Sequence, residues 1–214
     1  MKAKALQVVL AFVCGFAAIY GGMFVYQKYS RPQAPPADLP VLWPNPKTLG
    51  EFALHDQNQQ PFDLKRVQDK WTFWFFGYTN CPDVCPITLS VMNQVDDQIQ
   101  VQSDDPVHRQ FVFVSVDPAR DNPEHLGEYV GFFDDAFIGA TGNADALEAL
   151  ARQLGILYVP GEEDEAGNYL VDHTAAILLT DPKARLVAVF TAPHKAAELA
   201  TLFNRISAFV KAAG

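Results

Sequence analysis

Two cysteines stand four residues apart in Cys81-Pro82-Asp83-Val84-Cys85-Pro86. Thiols at this spacing can close a disulfide or grip one ion. Both chemistries run through the thiolate. A helix starting beside Cys85 favours that form, because its first turn presents unpaired N–H groups and a partial positive charge. The bland alternative is a structural bridge, the usual fate of paired cysteines in an oxidising compartment. A bridge closing so short a loop removes little unfolded-state entropy, so it would be a weak staple.

Two thiolates leave most metal sites incomplete, so a third ligand is sought among His55, His108, His125, His173 and His194. His108 falls in a charged loop and His125 near the start of a surface helix, where solvated imidazoles are ordinary. His173 lies in Val171-Asp172-His173-Thr174, immediately before an apolar strand whose start can sit at the edge of a core. His194 follows the next strand and is its rival. Asp172 is placed to accept a hydrogen bond from His173 and orient it, with Asp117 and Asp83 as weaker candidates for such support. Tyr78 is expected to pack beside the site and not to ligate.

The elements that must position these residues follow from apolar patterning. Residues 71–77, WTFWFFG, form an almost unbroken apolar run that reads as a buried central strand delivering the cysteines to an edge. Pro82 and Pro86 disfavour helical dihedrals just before them, and Pro86 suits a first helical turn. A helix then runs to about Val101, with Ile87, Val91, Val95 and Ile99 at intervals of four. Further strands are expected at 111–116, 137–138, 169–171, 175–180 and 186–191, and a hairpin at 52–64. Helices are expected after the turn-rich loop 117–123 to about Phe133, from an Asn143 cap to Leu154, and over 195–211. The acidic segment 161–168, GEEDEAGN, reads as an exposed turn. This alternation implies an α/β fold, a central mixed sheet with helices on both faces.

Ahead of this domain, residues 6–26 carry no charge, long enough as a helix to cover the ~30 Å hydrocarbon core. The segment exceeds the usual apolar length of a cleaved signal and lacks a clean small-x-small site, so an uncleaved single-pass anchor is the reading. Cys14 follows Phe12 and Val13, unsuited to a lipoprotein site, and is a small apolar helix residue. No Arg-rich, Ser-rich presequence precedes the span, and positive-inside logic puts the domain outside the cytoplasm. Six prolines within residues 31–46 predict an extended tether. The expected division is 1–30 anchor, 31–47 tether and 48–214 domain. That domain carries 11 Lys/Arg against 24 Asp/Glu, which disfavours nucleic-acid binding and suits solubility, a cationic partner or a metal ion.

Three blocks in order, Phe76-Gly77-Tyr78-Thr79-Asn80-Cys81-Pro82-Asp83-Val84-Cys85-Pro86, Val116-Asp117-Pro118 with Arg120-Asp121, and Asp172-His173-Thr174, resemble the signatures of the Sco/SenC family, copper-handling proteins of cytochrome c oxidase assembly. The resemblance spans the domain from about Thr48 onward. It implies a thioredoxin-like fold, anchoring in a bacterial inner membrane with the domain in the periplasm, and copper held by Cys81, Cys85 and His173. The donor set agrees, since paired thiolates select Cu(I) and an added imidazole suits Cu(II). Zinc accepts the same ligands but keeps an open position with three of them.

The resemblance implies delivery of copper to the CuA centre of oxidase subunit II, with other periplasmic copper chaperones or thiol reductants as further partners. The competing activity of the same pair is thiol–disulfide reduction of the CuA cysteines, or peroxide reduction, with Cys81 attacking and Cys85 resolving. Oxidoreductases of the thioredoxin class usually space their cysteines by two and carry a proline where this chain places His173, which leans the reading toward a metal carrier.

Overall fold

The structure is a computed structural model and describes residues 2–30, 34–102, 108–165 and 167–213, with the side chains of 2–11, 27–30 and 102 outside that description. The chain divides into two compact units, Met1–Ala34 and Pro35–Ala212. The first consists of helix α1 (Lys2–Ser30). Its described part exposes Phe12, Phe16, Ile19 and Phe24. Among the described residues no helix is long and apolar enough to cross a membrane; residues 6–11 of the expected span lie outside the described side chains.

In chain order the second unit comprises β1 (Lys47–Thr48), β2 (Ala53–Asp56), β3 (Pro61–Asp63), α2 (Leu64–Val67), β4 (Trp71–Gly77), α3 (Val84–Gln102), β5 (Arg109–Ser115), α4 (Pro123–Gly131), β6 (Ile138–Thr141), α5 (Ala144–Leu154), β7 (Tyr158–Pro160), β8 (Val171–His173), β9 (Ala176–Thr180), β10 (Arg185–Thr191) and α6 (Ala196–Ala213). Eight strands form one mixed sheet in the order β1-β10-β9-β4-β5-β6-β2-β3, and β7 with β8 makes a separate antiparallel pair.

Every residue of β4 is buried, because the strand is paired on both edges and covered on both faces. It runs parallel to β5, with Phe73 opposite Phe111, and antiparallel to β9, with Phe73 opposite Leu179. One face gathers the odd-numbered side chains. Phe73 meets Phe203 of α6 and stacks on Phe111 at 4.7 Å, while Phe113 meets Tyr129 of α4. On the other face Trp74 meets Phe52 and Phe62 edge-on, and its indole N–H finds Thr180 Oγ1 at 3.0 Å. A Trp buried without such a partner would leave an unsatisfied donor.

The strands β1 and β7 and the short helix α2 were not expected, and two further features differ from the sequence reading. The short strand expected at 169–171 lies at 171–173, where it pairs with β7, placing Tyr158 opposite His173. Part of the expected tether is applied to the domain: Leu42 N–H donates to the Val187 carbonyl at 2.7 Å, Trp43 packs edge-on against Phe209, and Asp38 pairs with Arg205 at 2.8 Å. The prolines forgo ladder bonds, but Leu39 and Trp43 supply apolar surface that the domain's edge can cover.

Candidate metal centre

Strand β4 ends at Gly77, and the loop after it carries Cys81 back toward the start of α3. Gly77 has no side chain because none fits: a Cβ there would stand 2.5 Å from Cys85 Sγ and 2.9 Å from Phe113 Cε2. Thr79 is tied down by the buried carboxylate of Asp121, which accepts its N–H at 2.9 Å, its hydroxyl at 2.5 Å, and the Ser115 hydroxyl at 2.6 Å. Asp121 thus fixes the cysteine loop to the end of β5.

Helix α3 begins at Val84, so Cys85 lies in its first turn. The Cys85 N–H, one of the donors left open at a helix start, points to Cys81 Sγ at 3.4 Å. Cys81 is 8 % exposed and Cys85 fully buried, and both are free thiols. Burial pushes the Cys85 thiol well above its ordinary value, outweighing the Tyr78 backbone hydrogen bond to it. The expectation that the helix start would favour a thiolate at Cys85 is therefore corrected: desolvation wins, and without metal this sulfur stays protonated at neutral pH.

His173 arrives from β8. Its Nε2 lies 3.3 Å from Cys85 Sγ and its Nδ1 3.4 Å from the Thr174 carbonyl oxygen. Its ring packs edge-on against Phe75 at 5.8 Å and Tyr78 at 6.1 Å. Burial holds its pKa below the usual imidazole value, against the Thr174 carbonyl and Asp172. The neutral imidazole that results is the form that ligates. Asp172 is exposed and acts on His173 only through its charge; the Thr174 carbonyl holds the position expected for it.

One ligand atom each from Cys81, Cys85 and His173 lie within 4.8 Å of one another. Two ligands on one ion, each about 2.0–2.3 Å from it, stand at most about 4.6 Å apart, a separation that Cys85 Sγ and His173 Nε2, at 3.3 Å, already meet. Two soft sulfurs and an imidazole fit copper or zinc, not calcium or magnesium. His194, the expected rival, points Nε2 at the Ala175 carbonyl at 3.3 Å, and among the described residues the other histidines also stand outside the cluster. Asp83 is exposed. Asp117 is buried and engages Arg120 and Tyr169. Gly77 and Asp121 went unassigned from sequence, since nothing local marks a glycine as facing sulfur or a loop carboxylate as buried.

An α/β domain with a mixed sheet that presents two thiols at a helix start to an imidazole from a facing hairpin is a thioredoxin-like domain with a cluster of three side chains able to hold a metal ion. The chain belongs to the SCO1/SenC family, whose model matches residues 43–208. A Stutzerimonas stutzeri protein named for copper binding is 37% identical over 155 residues, 72% of this chain and 74% of that protein. The mouse mitochondrial protein SCO2 homolog is 32% identical over 161 residues, 75% of this chain and 63% of that one. The crystal structure of Arabidopsis thaliana ScoI with copper bound matches with a TM-score of 0.69 at 32% identity, covering 74% of this chain and 98% of that one.

Proposed function

We propose that this protein carries copper on Cys81, Cys85 and His173 and serves assembly of the CuA centre of cytochrome c oxidase subunit II. The observation that carries the reading is the convergence of those three ligand atoms in a chain of this family. The Arabidopsis relative, described with copper bound, supports the choice of metal. Copper is cargo here. The two sulfurs hold Cu(I) and the imidazole adds the harder ligand that Cu(II) needs, while a three-residue set leaves room for an acceptor's ligand to enter. The uncharged stretch of residues 6–26 anchors the domain in a bacterial inner membrane, facing the periplasm.

Thiol–disulfide reduction of the CuA cysteines is a second reading, supported by the gradient from partly accessible Cys81 to buried Cys85, the order of an attacking and a resolving thiol. Copper binding by the reduced protein separates the two. A carrier takes one copper per chain, and Cys81→Ala or Cys85→Ala abolishes tight binding. Failure of the wild type to bind copper, with retained reduction of a disulfide substrate, would leave the reductant reading standing alone.

A further inference from the structure

The loop at residues 116–122, between β5 and α4, touches both halves of the centre. At its far end Asp121 grips Thr79 and so the cysteine loop. At its near end the buried Asp117 carboxylate accepts from Arg120 Nε with one oxygen and from the Tyr169 hydroxyl, at 2.6 Å, with the other. Arg120 completes a triangle: Nη1 donates to the Tyr169 carbonyl oxygen at 2.9 Å, and the guanidinium lies 3.6 Å from the Tyr169 ring centre and 5.5 Å from that of Tyr78. Tyr169 is therefore held by its hydroxyl, its ring and its backbone together.

Tyr169 stands two residues before β8, the strand that ends in His173. Among the described residues that strand pairs only with the three-residue β7, and the ties at its end, Thr174 N–H to the Leu157 carbonyl and Gly161 N–H to the Leu170 carbonyl, stay within the same hairpin. A two-stranded pair is marginal by itself. Its hold on the domain comes from the burial of Val171 and the Tyr78 hydrogen bond to the Val171 backbone, from His173's contacts and the short run into β9 at Ala176, and from the triangle at Tyr169.

We infer that the 116–122 loop is a bracket that sets the separation of His173 from the two cysteines, with Asp117, Arg120 and Tyr169 as positioning residues that touch no metal. Arg120 is suited to this by its fork, which reaches a carboxylate and a carbonyl at once while stacking on a ring; lysine offers one point of charge. The inference deepens the copper reading and rests on it for its affinity test, but the bracket itself exists in the metal-free protein.

Its test combines a double-mutant cycle with a metal-free measurement. Arg120→Ala and Tyr169→Phe are made alone and with His173→Ala, and Cu(II) affinity is read by chelator competition alongside imidazole nitrogen coupling in electron paramagnetic resonance. Arg120→Ala weakens copper about 10- to 100-fold and diminishes the nitrogen coupling, yet adds no loss in the His173→Ala background; Tyr169→Phe acts in the same direction to a smaller extent, and Arg120→Lys rescues only part. Equal weakening in both backgrounds, or full nitrogen coupling in Arg120→Ala, overturns the bracket. In the metal-free protein, amide exchange over residues 169–174 accelerates in Tyr169→Phe while exchange in β4 and β5 does not; unchanged exchange there overturns it as well. If the wild type binds no copper, the proposed function fails, and the exchange data still decide the bracket.

Discussion

Burial moves Cys85 and His173 in opposite directions, the thiol up and the imidazole down, with the same result, a neutral pair without metal. For Cys85 this has a measurable effect on stability. The folded protein keeps the thiol proton above 9.0, the ordinary value, where the unfolded chain releases it. The folded state then binds more protons, so this contribution is full below about pH 9 and is lost as pH rises further. Urea denaturation of the reduced, metal-free protein between pH 8 and 10.5 is expected to show a steeper decline for wild type than for Cys85→Ala. Parallel profiles would contradict the burial argument. Tyr129, whose hydroxyl is pushed up by burial and next by the charge of Cys85, titrates differently in the two proteins, so the comparison is made in a Tyr129→Phe background. Because the metal must displace the same proton, copper affinity rises with pH over the range in which the free thiol stays protonated.

At the scale of elements, the centre depends on how closely the end of β4 approaches the start of α3. Gly77→Ala places a methyl group at 2.5 Å from Cys85 Sγ and 2.9 Å from Phe113 Cε2, both held in packed elements, so the helix start must move. A loss of about 1–3 kcal/mol in folding stability is expected by urea denaturation, together with weaker copper binding; unchanged values of both would show that α3 yields freely. The elements themselves were unevenly legible. Strand β4 matched residue for residue because a buried apolar run needs no context, and the Asn143 cap of α5 was equally plain, with its side chain accepting the Ala146 N–H. Strand β7 was missed: Tyr158-Val159-Pro160 is three residues long, ends in proline, and owes its pairing to a partner across the acidic turn. The site divides in the same way. Thiols and the histidine announce themselves by residue type, whereas Asp117 and Asp121 look like ordinary turn carboxylates until long-range packing buries them among Thr79, Ser115, Arg120 and Tyr169.

Across the whole molecule, the acidic balance of residues 48–214 gives the domain a field that repels anionic surfaces and attracts cations and basic partners. The stretch read as a free stalk is shorter than its prolines suggested, because Trp43 and Leu42 engage Phe209 and Val187. What joins these features is a single arrangement: a rigid sheet and helix hold two sulfurs, and a small hairpin brings the nitrogen. X-ray absorption of the copper-loaded, reduced protein tests that arrangement. Two sulfur scatterers at about 2.2–2.3 Å and one imidazole nitrogen at about 2.0 Å are expected, with the nitrogen shell lost in His173→Ala and the sulfur shell kept. A nitrogen shell that survives His173→Ala, or a copper bound without sulfur, would contradict it.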